Sequence, residues 1–167
     1  MASKVESILK KIDSRFDVEV KVKRDNEAWL SIDNENLIDI CGSLKDKGFV
    51  HLSAISVVDW IKEGKYEVIY HLWSYKDKML LNLKTRIDRE KPAIDSVIPI
   101  WDSNAQIHER EMHELFGLKF RGNPDLAPLF LEDWNGPPTF RKDFDWRKYV
   151  RENYYDKNNE REAAYYD

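Results

Sequence analysis

Three consecutive strand-like segments in the middle of the chain constrain the fold most. They cover residues 49–60, 66–75 and 79–86, and short turns at 63–64 and 76–78 separate them. Apolar side chains recur at every second position of the third segment, as in a strand with one buried face. Because such short turns join neighbouring strands only when these run in opposite directions, the segments predict an antiparallel sheet.

Helices and a hairpin are predicted before this sheet. Apolar residues at helical spacing indicate a short helix that ends near Asp13, and an alternating segment over 17–23 can pair with 28–32 as a hairpin. A second helix should follow a cap at Asp33 or Asn34. Its apolar face consists of Leu37, Ile38, Cys41 and Leu44, and Gly48 is expected to follow its end. The order of elements predicts an α+β fold, in which helices cover a mostly antiparallel sheet.

Charge and cysteine content exclude several classes of protein. Charged residues make up 35% of the 167 residues and nearly cancel, with a net charge of -4, so nothing favours nucleic acid and protein partners are expected. The single cysteine, Cys41, excludes an internal disulfide and a cysteine-ligated cluster built from this chain alone. No apolar run approaches the ~20 residues of a membrane span, so we expect a soluble, intracellular chain.

The segment 107–144 combines charges, turn-forming residues and bulky side chains. It starts on a helix predicted over 104–116, with Asp102 or Ser103 as its cap and Gly117 as its end. The turn-forming residues after the helix are Gly122, Pro124, Pro128, Gly136, Pro137 and Pro138. The bulky residues between them are Phe120, Leu126, Phe130, Leu131, Trp134 and Phe140. Such a segment needs another surface to bury these side chains, which predicts an extended docking segment.

A helical projection of 104–116 separates its two glutamates. Glu111 falls on the half that carries Met112 and Leu115, whereas Glu109 falls on the polar half with Arg110. A carboxylate among apolar neighbours needs a cation or several donors, so Glu111 could pair with Arg or Lys of this chain or of a partner. Alternatively, this half is only partly buried and Glu111 extends into water.

Histidines on the same helix offer a weaker, enzymatic hypothesis. His108 and His113 lie beside Glu109 and Glu111, which suggests a stand-alone metal-dependent hydrolase. Histidines five residues apart lie about 140° from one another on a helix, however, whereas shared ligation needs one face. His71, in a predicted strand, is better interpreted as a hydrogen-bonded core residue. A soluble adaptor that binds through its tyrosine-rich tail is a further alternative.

Four motifs follow one another in the last third of the chain. They are Glu109-Arg110-Glu111 with Leu115-Phe116-Gly117, Phe120-x-Gly122-x-Pro124-Asp125-Leu126, Asp133-Trp134, and Arg141-Lys142-Asp143-Phe144. Their order resembles the signature of the C-subunit family of NADH-quinone oxidoreductase (complex I), which includes subunits of membrane-bound hydrogenase and ferredoxin-linked complexes. This chain departs from the family pattern at Glu114, Asn123, Ala127, Pro128 and Phe140, which favours a relative of standard complex I.

The resemblance implies a function without an active site in this chain. The chain would be a non-catalytic peripheral-arm subunit of a membrane-associated, ion-translocating respiratory complex, on the cytoplasmic side of the membrane. Its partners would be a quinone-site subunit similar to the hydrogenase large subunit and a small iron-sulfur subunit. No cofactor is expected in this chain, whereas iron-sulfur clusters, or a NiFe centre, would lie in the partners.

The resemblance also implies which residues form the partner interface. They are Arg110, Glu111, Phe120, Pro124, Asp125, Leu126, Phe130, Asp133, Trp134, Arg141, Lys142, Asp143 and Phe144. Without the resemblance, Arg141, Lys142 and Asp143 would be interpreted as a solvated loop cluster. We predict one domain over 1–144, followed over 145–167 by a polar arm that carries five of the eight tyrosines.

Overall fold

A five-stranded sheet forms the centre of the computed structural model, which describes Phe16 and residues 18–154. Its strands are β1 (Glu19–Arg24), β2 (Glu27–Ser31), β3 (His51–Trp60), β4 (Lys65–Ser74) and β5 (Met79–Asp88). They lie in the order β1-β2-β5-β4-β3. All neighbours are antiparallel except β2 and β5, which pair in parallel. The predicted strands are confirmed, and the helix predicted to end near Asp13 lies outside the described residues.

Three helices and a small second sheet complete the described fold. The helices are α1 (Leu37–Asp46), α2 (Ile98–Phe116) and α3 (Trp146–Asn153), and short 3-10 helices cover Asn34–Asn36 and Ile61–Glu63. The second sheet pairs β6 (Ala93–Asp95) with β7 (Lys119–Arg121) in parallel. Buried side chains of α1, α2 and one face of the large sheet form a single core. The predicted α+β class is therefore confirmed.

The opposite face of the large sheet carries polar side chains. His71 is half-buried there and joins neighbouring strands through two hydrogen bonds. Its Nδ1 donates to Asn82 Oδ1 at 2.7 Å, and its Nε2 accepts from the Ser56 hydroxyl at 3.0 Å. The hydrogen-bonded role predicted for His71 is confirmed, although the residue lies outside the main core.

The beginning of α1 differs from the prediction. Neither Asp33 nor Asn34 caps it, because a 3-10 helix occupies 34–36 and the α-helix begins at Leu37 without a side-chain cap. Ile40, which we did not predict on the buried face, is fully buried, whereas Ile38 is only partly buried. The predicted position of the helix end is correct, since Gly48 follows it with a left-handed φ of 101°.

The signature helix α2 begins earlier than predicted and contains a kink. It starts at Ile98, and its backbone leaves helical geometry at Asp102, where φ is 44° and ψ is -124°. Asp102 therefore marks a break between two helical segments, and the second segment begins where the sequence predicted the helix to start. Gly117 ends α2 in the left-handed conformation, as predicted, with φ of 77°.

The arm after Phe144 begins as a helix that we did not predict. Asp145 caps α3, because its side chain accepts a hydrogen bond from the Lys148 amide at 3.0 Å. None of the helices in the described part of the chain has the length and hydropathy of a membrane span.

Candidate functional site

A fully buried carboxylate fixes the position of α2. Glu109 has no exposed surface, and its carboxylate accepts hydrogen bonds from Ser96 Oγ at 2.8 Å, the Val97 amide at 2.7 Å and Asn123 Nδ2 at 2.9 Å. The helical projection placed Glu109 on the polar half, and this was wrong. It counted only neighbours along the helix, whereas the three donors come from segments before and after it.

Glu109 is held by neutral groups. Burial raises the pKa of its carboxyl, and the hydrogen bonds from Ser96, Val97 and Asn123 offset this only in part. Three donors on one carboxylate tie the start of α2 and the loop after β7 to the middle of the helix. This gives Glu109 a structural role that the sequence pattern did not reveal.

Three polar side chains on one face of α2 form hydrogen bonds with the loop after β7. We name these hydrogen bonds the loop latch. Gln106, Arg110 and Glu114 are four residues apart and therefore share one face. Gln106 donates to the Asp125 carbonyl, Arg110 donates to the carbonyls of Ala127 (2.8 Å) and Pro128 (2.7 Å), and Glu114 accepts from the amides of Leu129, Phe130 and Leu131. Arg110 thus contacts its own chain, and its contact with a partner stays a prediction.

Weakening the loop latch should loosen the loop locally. We expect Glu114→Gln to accelerate hydrogen exchange at the amides of 129–131 by about tenfold, because hydrogen bonds to a carboxylate are stronger than those to an amide. Exchange measured by mass spectrometry in the folded protein tests this. Glu111→Gln, on the same helix, is the control and should leave these amides unchanged. Equal exchange in both variants would contradict the latch.

A buried arginine holds the end of the docking segment. Arg89, 4% exposed, binds Asp59 through Nε (2.8 Å) and Nη2 (3.0 Å). It also binds Asp143 through Nη2 (2.7 Å) and Nη1 (3.1 Å). Arg141 contacts both oxygens of Asp143 at 3.1 Å, and the Lys142 amide donates to Asp59 at 2.9 Å. We call these five residues the ionic cluster. It ties the motif at 141–143 to the ends of β3 and β5.

The ionic cluster favours ionised carboxylates. Hydrogen bonds from Arg89, and then from Arg141, hold the pKa of Asp143 well below its usual range. Burial alone raises the pKa of Asp59, but the hydrogen bonds from Arg89 and the Lys142 amide outweigh it and lower the pKa. The guanidinium of Arg89 is stabilised in turn, so the pKa of Arg89 is raised.

These shifts predict an acid-sensitive contribution to stability. A depressed folded-state pKa stabilises the fold above the unfolded value of about 4, and this stabilisation is lost as the pH falls through the folded value. We therefore expect the stability difference between the wild type and Asp143→Asn to be largest near pH 7 and to shrink below about pH 4. Urea unfolding at several pH values measures it. A difference independent of pH would contradict the assignment.

An aromatic cluster joins α3 to the docking segment. The ring of Trp134 lies 5.9 Å from that of Phe144 and 4.9 Å from that of Tyr149, and its Nε1 donates to the Pro137 carbonyl at 2.9 Å. A Cβ on Gly136 would lie 2.4 Å from the Trp134 ring, so only glycine allows this close approach. The predicted interface residues Trp134 and Phe144 thus also pack on their own chain.

The remaining predicted interface residues divide by exposure. Phe120 is 3% exposed and belongs to the core, which corrects its assignment as an interface residue. Leu126 is partly buried against the same core, and Glu111 retains a side chain that is 33% exposed. The exposed members are Pro124, Asp125, Phe130, Asp133, Lys142 and Asp143. Phe130 is the most exposed large hydrophobic side chain among the predicted residues, at 64%.

The sequence patterns did not identify several residues of the site. Asp59 could have been identified, since it is the only Asp, Glu, Lys or Arg of β3, and Arg89 directly follows β5. Gln106 and Glu114 could have been identified because each lies four residues from Arg110 and therefore on the same face of the helix. Asn123 carried no signal that distinguishes it from an ordinary turn residue.

The histidines of α2 do not form a metal site with neighbouring residues. His113 Nδ1 donates to the Leu118 carbonyl at 2.7 Å, and His108 Nδ1 lies 3.9 Å from Glu111. Within residues 18–154 and Phe16, no group of three His, Cys, Asp or Glu side chains is arranged to hold a metal ion. The hydrolase hypothesis therefore has no ligand set in the described part of the chain.

The fold and the site define a small α+β domain that fastens an extended C-terminal segment to its own sheet and helix. A chain of the membrane-bound sulfane sulfur reductase, an archaeal respiratory membrane complex, has the same architecture, with a TM-score of 0.82 and 32% identity over 93% of this chain and 97% of that one. The trypsin-resistant fragment of Nqo5 shares the fold, with a TM-score of 0.62 and 23% identity over 73% of this chain and 98% of the fragment.

Sequence relatives agree with the structural comparison. The chain is 37% identical to the C subunit of F(420)H(2) dehydrogenase from Methanosarcina mazei over 68% of this chain and 73% of the relative. It is 35% identical to the C subunit of NADH-quinone oxidoreductase from Moorella thermoacetica over 77% and 86%, respectively. The model of the family described as respiratory-chain NADH dehydrogenase, 30 Kd subunit, matches residues 30–150. The chain belongs to this family, which confirms the resemblance seen in its motifs.

Proposed function

We propose that the chain is a non-catalytic peripheral subunit of a membrane-associated, ion-translocating respiratory redox complex. It binds a neighbouring subunit similar to the hydrogenase large subunit and holds it in shape beside the electron-transfer centre. A small iron-sulfur subunit lies nearby. In this proposal the chain attaches to the cytoplasmic side of the membrane through the complex.

This proposal rests on a difference between the polar and the aromatic residues of the docking segment. The loop latch and the ionic cluster use polar groups of the segment to fasten it to its own domain. Its aromatic residues Phe130 and Phe140 remain 64% and 58% exposed. A surface that is ordered before binding loses less entropy on association, and exposed aromatic anchors are typical of binding hot spots.

We assign the cofactors to partner subunits because of the metal ligands that this chain contains. Iron-sulfur clusters take several thiolates, and this chain has only Cys41, which is buried in the core. We therefore assign the iron-sulfur clusters, or a NiFe centre, to the partner subunits. The similarity to a chain of the sulfane sulfur reductase complex and to the F(420)H(2) dehydrogenase relative supports a relative of standard complex I as the native assembly.

Affinity purification from gently solubilised membranes tests the proposal. We expect iron-sulfur and hydrogenase-like subunits to co-purify with the tagged chain, and Phe130→Ser to lower their recovery about tenfold, because an exposed anchor is lost. The control is Tyr75→Ser, which removes an equally exposed aromatic residue (62%) outside the docking segment. Identification of the companions is combined with a metal assay of the isolated chain.

Three outcomes would contradict the proposal or part of it. A lone soluble protein with stoichiometric metal would restore the hydrolase hypothesis. Recovery from the cytosol with a soluble companion, and none from membranes, would support the adaptor hypothesis. Equal recovery with Phe130→Ser and Tyr75→Ser would show that the docking segment does not contact the complex through its exposed aromatic side chain.

A further inference from the structure

The two edges of the large sheet are built differently. The edge strand β1 carries Glu19, Lys21, Lys23 and Arg24, and its pairing with β2 is irregular between Val22 and Arg24. Charged residues and irregular pairing are devices that prevent another strand from adding to a sheet. The edge at β1 is therefore protected against pairing.

The other edge strand, β3, lacks this protection along its middle. It has ten residues, and none of those at 51–58 is Asp, Glu, Lys or Arg. After an irregularity between Leu52 and Ala54, its pairing with β4 is continuous from Ala54 to Trp60. Within the described residues, no strand pairs with its outer edge. A long edge without charged residues is a template for a further strand.

An apolar groove runs beside this edge. It is lined by residues 54–57 of β3, by His108, Glu111, Met112, Leu115 and Phe116 of α2, and by Phe140. At one end, Asn104 Nδ2 donates to the Leu52 carbonyl at 3.3 Å, and at the other end the Lys142 amide donates to Asp59. The free edge between these contacts is about 17 Å long at a rise of about 3.4 Å per residue, which suits a short extended segment.

The charge of the groove restricts what can bind. Glu111 is the acidic residue of the lining, and in the described part of the chain its ion pairing is limited to His108 Nδ1 at 3.9 Å. A carboxylate beside an apolar groove becomes more costly when a partner covers it, unless that partner brings a cation. The complementary occupant is therefore apolar at alternate positions and carries Lys or Arg.

We propose that an extended segment of the neighbouring subunit adds to β3 as a sixth strand. Its alternate apolar side chains contact Leu115 and Phe140, its backbone pairs with the middle of β3, and its Lys or Arg binds Glu111. This inference deepens the proposed function and rests on it, because it names the binding mode and the chemistry of the partner segment.

Other occupants of the groove match it less well. Residues 155–167 include four acidic and two basic side chains, so they do not complement Glu111. A second copy paired through the same edge would bring no Lys or Arg from its own β3 residues at 51–58. The apolar residues of 1–15 recur at helical spacing and not at alternate positions.

Photo-crosslinking in the intact complex tests the identity of the occupant. Benzoylphenylalanine replaces Phe140, which is aromatic and 58% exposed, so the probe fits the site. We expect a crosslink to one segment of a partner subunit in which apolar residues alternate and a Lys or Arg is present. A crosslink to residues 1–15 or 155–167 of this chain, to a second copy, or to no chain at all would overturn the proposal.

Charge reversal separates this inference from the proposed function. We expect Glu111→Lys to lower the recovery of the complex about tenfold, whereas Glu19→Lys, the same change on the protected edge, should not. Both variants should keep the melting temperature of the wild type, because both side chains are substantially exposed. If Glu111→Lys has no effect while Phe130→Ser lowers recovery, the added strand is wrong and the scaffold function stands. If the wild type recovers no redox subunits, the proposed function itself fails.

Discussion

Replacing Arg89 with methionine is expected to lower the free energy of unfolding by about 3–5 kcal/mol, one of the two largest effects that the structure predicts. The substitution leaves the carboxylate of Asp59, which is 3% exposed, without its cation. It also removes two of the hydrogen bonds that hold Asp143. Urea unfolding near pH 7 measures the loss.

A second arginine of the same region provides the control. Arg86 belongs to β5 and pairs with Glu63 and Glu67, but its side chain is 47% exposed. Arg86→Met should therefore cost only about 0–1 kcal/mol, because Arg86 is exposed and Lys84 remains 3.4 Å from the buried Glu67. Equal losses for both substitutions would contradict the distinction between a buried and an exposed arginine.

Replacing Glu109 with alanine is expected to cost about 3 kcal/mol. The substitution leaves Ser96 Oγ, the Val97 amide and Asn123 Nδ2 without their acceptor, and Ser96 and Val97 are buried. A buried donor without a partner costs about 1–3 kcal/mol. Burial raises the pKa of Glu109, and removing this buried carboxylate offsets part of the loss. Thermal or urea unfolding measures the difference.

Glu111→Ala is the matched control on the same helix. Its side chain is 33% exposed, and its polar contact within the described chain is with His108 Nδ1 at 3.9 Å, so we expect a change within about 0.5 kcal/mol. The reverse order of the two effects would mean that α2 is rotated about its axis relative to the structure described above. The same pair of variants therefore tests the helix orientation and the hydrogen bonds of Glu109.

The sequence predicted the elements whose cause is local. The strands β3, β4 and β5 follow from alternation and short turns, and the left-handed ends at Gly48 and Gly117 follow from the freedom of glycine. Sequence patterns did not predict the parallel pairing of β2 with β5, because β5 comes from a distant part of the chain and packs beside the β1–β2 hairpin. The short strands β6 and β7 have too few residues to show an alternation.

The site was predictable only where a motif marked it. The family motifs identified Arg141 and Asp143, but Asp59 and Arg89, which bind Asp143 or its neighbours, lie more than 50 residues earlier in the chain. A helical projection could not distinguish Glu109 from Glu111, since the donors that decide which glutamate is buried come from outside the helix. Contacts between distant segments were therefore the part that the pattern did not reveal.

The parallel pair β2–β5 also has a consequence for the order of folding. Ala28 faces Leu81 across this pair, 53 positions later in the chain (81 − 28), whereas β3, β4 and β5 are joined by short turns. Closing the longer loop costs more entropy, so the three-stranded unit should form first and the β1–β2 hairpin should dock last. Until docking is complete, the inner edge of β5 is open. During synthesis and assembly, the interval before docking is therefore the time at which this chain is most exposed to aggregation.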